Sequence, residues 1–209
     1  MIKRIIGDIL RKLKRIPSHL SQIVNDVVYD EYVRRAFANN AFDGVLTLLG
    51  ILMGNLVLDE FRPVAVINIG LSTCLAIGMS GTFGRFLSER AERKRSLHQM
   101  EKAVFTDLND TSLGREGEKK TLIMSLVDGI SPAIAALIPL SPFFLARASI
   151  IPVSVSIVTS FVLVFIVLFG LGMFLGKTSG ENVLVYGGVT VAVGFLTSLI
   201  IFVASIYFH

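Results

Sequence analysis

The stretch IIPVSVSIVTSFVLVFIVLFGLGMFLG, residues 150–176, contains no charged side chain. A helix crosses the hydrocarbon core of a bilayer in about 20 residues, so a run of this length and composition is typical of a transmembrane segment. Four further blocks are also long and predominantly apolar, and they cover residues 36–58, 63–87, 121–145 and 183–208. The sequence therefore predicts an all-α, polytopic membrane protein with five transmembrane helices.

Composition excludes several other classes of protein. A soluble domain with 53% hydrophobic residues in 209 would expose too much apolar surface. The single cysteine, Cys74, excludes an intrachain disulfide framework and a thiolate metal cluster built within one chain. The chain has no phosphate-binding glycine loop, no HExxH sequence and no nucleophile elbow. We therefore expect neither an enzyme nor a resident cofactor.

The basic residues lie in two blocks, which predict the orientation of the chain in the membrane. Eight Lys and Arg precede residue 36, and nine lie between Arg85 and Lys120. Because cytoplasmic segments carry the excess of Lys and Arg, the N-terminus is expected in the cytoplasm and the C-terminus outside. An odd number of crossings requires the same arrangement. The basic charge therefore indicates membrane orientation and not nucleic-acid binding.

Residues 1–35 form a predicted cytoplasmic region in front of the membrane domain, residues 36–209. Within it, residues 2–16 place isoleucines and leucines on one helical face and Lys and Arg mostly on the other. This pattern favours an amphipathic helix on an anionic lipid surface; a docked cytoplasmic helix or the start of a long first helix are the alternatives. A second cytoplasmic element covers residues 88–120. Its first part is predicted to be a charged helix that continues segment 2, and residues 109–120 are predicted to form a polar turn. No signal peptide is predicted.

Two acidic residues lie inside the apolar segments. Asp43 and Asp128 are each about eight residues beyond a basic flank, which places both about 12 Å deep from the cytoplasmic side. A carboxylate in hydrocarbon is costly unless it is paired, protonated or facing water, so these residues are candidates for cation binding and proton transfer. Pro132 removes the hydrogen bond to the Asp128 carbonyl, and a freed carbonyl beside a carboxylate suits a cation. Pro132, Pro139 and Pro142 are expected to break segment 3.

Structural roles are the alternative for these acids. Each aspartate can bond a neighbouring helix, and Arg85 is a possible charge partner of Asp43. Asn68 in segment 2 offers a neutral oxygen ligand and Met79 a soft thioether, although packing explains both residues as well. On the cytoplasmic helix, Glu89 and Glu92 are three residues apart and share one face, a spacing that suits metal gathering or salt bridges within the helix.

Three short motifs resemble those of the vacuolar iron transporter family, also called the CCC1-like family. Residues 41–44, Ala-Phe-Asp-Gly, resemble its Asp-Gly motif in the first membrane helix. Residues 80–88 are similar to its Ser-Met-x-x-Gly-Glu-Tyr-Leu-Ser motif in the second. Residues 139–143 are similar to its Pro-Leu-x-Pro-aromatic motif in the third. The five helices and the charged insert between helices 2 and 3 also match.

The resemblance implies a homodimer that exports cytosolic Fe²⁺ or Mn²⁺ in exchange for protons, with Asp43 lining the path. The second motif departs from the family at two positions, since Gly81 stands where the family has Met and Arg85 where it has Glu. Met79 is two residues away, on a different helical face. An arginine in place of an acidic ligand repels a divalent cation, and loss of the thioether removes a soft ligand.

Two hypotheses follow from the sequence. The first is a membrane transporter of a divalent metal cation, coupled to protons through Asp43 and Asp128, because protonation cancels the charge that binds the ion. The second is a non-transporting membrane scaffold or regulator that binds lipid or a partner through the basic N-terminal helix. The expected partners are the bilayer, a metal ion and a second copy of the chain.

Overall fold

The computed structural model describes the backbone of residues 31–58, 61–104 and 112–208, and the described part is almost entirely helical. Its five helices are α1 (Glu31–Val57), α2 (Pro63–Val104), α3 (Ser112–Arg147), α4 (Val153–Ser179) and α5 (Val183–Phe208). Within this described part, all five are long and apolar enough to cross a membrane. The all-α, five-span prediction is confirmed, and the chain is an integral membrane protein. The predicted amphipathic helix at 2–16 lies outside the described residues.

Helix α2 is one continuous helix of 42 residues. It passes without interruption from the apolar segment that begins at Pro63 into the charged sequence after Leu87, as predicted. The polar turn predicted over 109–120 is wrong from Ser112 onward, because α3 already begins there. Glu, Lys and Arg are good helix formers, and here they outweigh the two glycines of that stretch.

Helix α3 continues through its three prolines, so the predicted break in segment 3 is also wrong. Proline is tolerated in membrane helices where side-chain hydroxyls bond the carbonyls that it leaves without an N–H partner. The Ser141 hydroxyl donates to the Ile138 carbonyl at 2.7 Å, which is the carbonyl that Pro142 deprives of a donor. Pro132 and Pro139 are buried between helices.

Helices α1 and α3 form the centre of the bundle. Helix α3 packs against α1, α2 and α4, and α1 also packs against α4 and α5. Helix α2 contacts α3 along much of its length and α1 far less. The core between them consists of aliphatic side chains and one aromatic ring that are almost fully buried: Val45, Leu48, Leu49, Leu52, Leu140, Phe143, Val164 and Leu168.

Glycines bring α1, α2 and α3 into close contact at one level. A β-carbon on Gly44 of α1 would lie 2.6 Å from the Cα of Pro132. A β-carbon on Gly78 of α2 would overlap the carbonyl oxygen of Gly129. Only glycine permits such approaches, which are common where membrane helices pack closely. These contacts fix the positions of the two helices that flank Asp128.

Candidate functional site

Among the residues whose burial the structure describes, Asp128 is the one buried acid, and its side chain contacts α1 and α2. The carboxylate forms an ion pair with the Nε of Arg85 on α2. It also accepts a hydrogen bond from the side chain of Asn40 on α1. Only 4% of the Asp128 side chain is exposed. The acid is therefore paired, which is what its burial in an apolar segment requires.

Arg85 contacts a second acid as well. Its Nη1 lies 3.9 Å from the Oε1 of Glu89, one helical turn further along α2. About a fifth of the Arg85 side chain and a quarter of the Glu89 side chain are exposed. The guanidinium thus lies between a buried carboxylate and a more accessible one.

These groups line a cleft of about 400 Å³ between α1, α2 and α3. Besides Arg85 and Asp128, its polar lining consists of Asn40, Ser80, Ser88, Glu89 and Glu92. Three carboxylates and one guanidinium give the lining a formal net charge of −2. A cavity with this charge attracts cations and repels anions.

The backbone of Asp128 also faces this cleft. Pro132 has no N–H to donate to the Asp128 carbonyl. A β-carbon built on Gly81 of α2 would lie 3.8 Å from that carbonyl oxygen, and Gly81 and Asp128 both line the cleft. The freed carbonyl predicted from the sequence is therefore close to the carboxylate and to the cleft wall.

Asp43 is not among the residues that line the cleft, which corrects the expectation that Asp43 and Asp128, predicted at the same depth, act at one site. Asn40 and Gly44 are four residues apart and face α3, where they contact Asp128 and Pro132. Asp43 is turned about 100° from Gly44 around α1 and is exposed. The two aspartates lie within one turn of each other in height, but they face different directions. Arg85 pairs with Asp128, so its suggested pairing with Asp43 is also corrected.

The other candidate ligands divide between the cleft and the outer surface. Glu89 and Glu92 line the cleft. Asn68 and Met79 lie on the exposed side of α2, and 57% of Met79 is exposed. Among the residues that the structure describes, no three His, Cys, Asp or Glu side chains converge closely enough to hold a metal ion. Metal binding by the six candidate ligands thus stays a prediction, and three of them share no site with Asp128.

Sequence reasoning missed Asn40. It provides the only direct side-chain bond from α1 to Asp128 among the contacts of the described residues. The sequence does contain an indication of its role. Asn40 is an amide inside a membrane segment, three residues before Asp43, and a polar group there is costly unless it has a partner. Whether Asn40 or Asp43 faces α3 depends on the rotation of α1 about its axis, and a single sequence does not determine that rotation.

Comparison with known proteins identifies a relative of similar length. The uncharacterized protein MJ0645 of Methanocaldococcus jannaschii is 31% identical over 176 residues, which cover 83% of this chain and 88% of that protein. The chain belongs to the MJ0645 family. No family model matches the chain, and no solved structure matches it. The function of this chain is therefore inferred from its charged cleft.

Proposed function

We propose that the protein is a membrane carrier of a divalent metal cation of the Fe²⁺ or Mn²⁺ class. The observation that carries this proposal is the cleft between α1, α2 and α3, which has a formal net charge of −2 and ends at the buried carboxylate of Asp128. An ionised group inside a membrane domain is expensive to maintain, and such groups commonly mark ion pathways. The cation is the cargo in this proposal.

The three acids of the cleft lie one after another along it and do not converge around a single point. Glu92 and Glu89 lie on successive turns of α2, and Asp128 lies deeper on α3. A series of separated carboxylates suits a cation that moves between positions, because conduction requires binding that is weak enough to allow release. Carboxylate and carbonyl oxygens are hard ligands that suit Mn²⁺.

The sequence motifs and the charge distribution supply the rest of the proposal. The resemblance to the vacuolar iron transporters favours Fe²⁺ and Mn²⁺ as cargo and protons as the exchanged ion. Protonation of Asp128 would cancel the charge that holds the cation, which couples cation release to a proton gradient. With the N-terminus in the cytoplasm, the Glu89–Glu92 end of the cleft opens to the cytoplasm.

Asp43 supports the proposal that two copies associate. It lies on an exposed polar stripe of α1 together with Asn39 and the partly exposed Thr47. A carboxylate facing lipid is costly, and a second copy packed on this stripe would remove it from hydrocarbon. Two such stripes would face each other across a twofold axis and line a shared polar surface.

Cysteine cross-linking tests the homodimer. In a Cys74→Ser background, Asn39→Cys should form a disulfide-linked dimer in the membrane on mild oxidation. Val158→Cys, which lies on the exposed side of α4, should remain monomeric. Equal cross-linking at both positions, or none at Asn39→Cys, would contradict the proposed interface.

Mn²⁺ uptake into proteoliposomes tests the carrier. Wild-type protein should raise the initial rate well above that of empty vesicles, and Asp128→Asn should reduce it at least about tenfold, since a neutral amide binds a cation far less well. Glu181→Gln, which removes an exposed acid between α4 and α5, is the matched control and should retain wild-type flux. A wild-type rate equal to that of empty vesicles would disprove the proposal.

The second candidate function is a non-transporting membrane scaffold or regulator. The Arg85–Asp128 pair favours it, because Arg85 already neutralises the buried acid. In that case no Mn²⁺ flux would be measured, and protein already reconstituted in neutral nanodiscs would bind added anionic vesicles only when residues 1–16 are present. Retained vesicle binding without residues 1–16 would contradict the scaffold.

A further inference from the structure

We propose that Arg85 is a built-in competitor of the transported cation and that it selects divalent over monovalent ions. This inference rests on the proposed role of the cleft. The guanidinium of Arg85 lies at the carboxylate that a cation has to reach, so the buried end of the cleft already binds a positive charge. Cargo binding is then an exchange of one cation for another.

Two carboxylates of the cleft lie within reach of Arg85. Its Nε pairs with Asp128, while its Nη1 lies 3.9 Å from the Oε1 of Glu89. Both acids line the same cleft, and Glu89 is the more exposed. A small rotation of the long arginine side chain would release Asp128 and keep the guanidinium paired with Glu89. The exchange therefore leaves no charge without a partner, a condition that a buried site requires.

Ion valence decides which cation completes this exchange. A monovalent ion offers Asp128 the same single charge as Arg85, but the arginine is held in contact with that carboxylate, so its effective concentration there exceeds that of the free ion. A divalent ion attracts the carboxylate twice as strongly at the same distance and repels the guanidinium toward Glu89. Arg85 thereby excludes K⁺ and Na⁺ and lowers the affinity for divalent ions, which aids their release.

Removal of the arginine charge tests this inference through binding in detergent solution, with Mn²⁺ alone as the probe. Arg85→Gln should bind Mn²⁺ at least about tenfold more tightly than wild type, because a repelling charge is lost and Asp128 is freed. In addition, 100 mM KCl should weaken Mn²⁺ binding to Arg85→Gln more than an equal ionic strength of a large organic cation does. In wild type the two salts should act alike.

Arg90→Gln is the matched control, since Arg90 is an exposed arginine of the same helix that lies against Phe86 and outside the cleft. It should leave the Mn²⁺ affinity unchanged. Adding Asp128→Asn to Arg85→Gln should abolish the gain. An Arg85→Gln affinity equal to that of wild type, or a gain that survives Asp128→Asn, would overturn the inference.

Arg85→Lys covers the case in which Arg85→Gln does not fold. Lysine keeps the charge but loses the planar fork, so it should raise Mn²⁺ affinity a few fold, and an unchanged affinity would again overturn the inference. The binding assay is independent of flux. Tighter binding by Arg85→Gln with no wild-type flux would disprove the carrier alone, whereas wild-type flux with unchanged binding would disprove the role of Arg85 alone.

Discussion

Helices α1 to α3 differ from helices α4 and α5 in what their close contacts surround. In the first group, Gly44 and Gly78 bring the helices together beside the Arg85–Asp128 ion pair. In the second group, Gly172 of α4 packs just as closely on Tyr186 of α5, where a β-carbon would lie 2.5 Å from the Tyr186 carbonyl oxygen. No acidic or basic residue occurs in α5, and α4 has only Lys177 near its end.

Close helix packing alone therefore does not mark a functional site. Glycines bring helices together beside a charged cleft in α1 to α3, and they do so at an apolar interface between α4 and α5. Among the described residues, the hydrogen bonds that α4 makes with neighbouring helices run from hydroxyl groups to backbone carbonyls. Thr190 donates to the Leu168 carbonyl at 2.8 Å, and Ser160 donates to the carbonyl of Pro139. Function is therefore expected in α1 to α3, with α4 and α5 as support.

The largest effect is expected when the buried ion pair between α2 and α3 loses one partner. Arg85→Ala should lower the free energy of unfolding by about 3 kcal/mol, because it leaves Asp128 buried without its cationic partner. Adding Asp128→Ala should recover most of that loss. Denaturant unfolding in detergent, analysed as a double-mutant cycle, measures the coupling. Additive losses would mean that the pair contributes no more than the isolated contacts of the other half.

Glycine packing in the charged half provides the next test. Gly78→Ala should cost about 1–3 kcal/mol, since its methyl group would overlap the Gly129 carbonyl and push α2 away from α3. Gly84→Ala, on the same helix with nothing within 4 Å of its added carbon, should be neutral or slightly stabilising. Thermal unfolding of both variants in detergent checks the difference. Equal stability would show that α2 and α3 are not held at this distance.

A hydrogen bond between α4 and α5 is expected to contribute least to stability. Thr190→Val removes the hydrogen bond from α5 to the Leu168 carbonyl of α4 and should cost about 0.6 kcal/mol, the typical value for such bonds in membranes. Thr197→Val is the control, because among the described residues the Thr197 hydroxyl donates to the Val193 carbonyl of its own helix and to no other helix. Neither variant should change Mn²⁺ uptake. Reduced uptake by Thr190→Val would assign α4 and α5 a direct part in function.

Most of the fold could be predicted from the sequence, whereas much of the site could not. The apolar runs fixed the five crossings because hydrocarbon thickness sets helix length. The break predicted at the prolines of α3 was wrong, since the effect of a proline on a helix depends on nearby hydroxyls. The Ser141 hydroxyl, for example, bonds the carbonyl that Pro142 leaves without a donor. The direction that Asp43 faces follows from the contact between Gly44 and Pro132, a pairing between distant parts of the chain that hydropathy does not reveal.

The length of α2 has a mechanical consequence. Its 42 residues span about 63 Å, roughly twice the hydrocarbon thickness, so about half of the helix extends beyond the apolar layer. No loop separates that projecting half from Arg85 and Glu89. A force on the projecting end would therefore tilt α2 about the Gly78–Gly129 contact. This tilt would move Arg85 relative to Asp128.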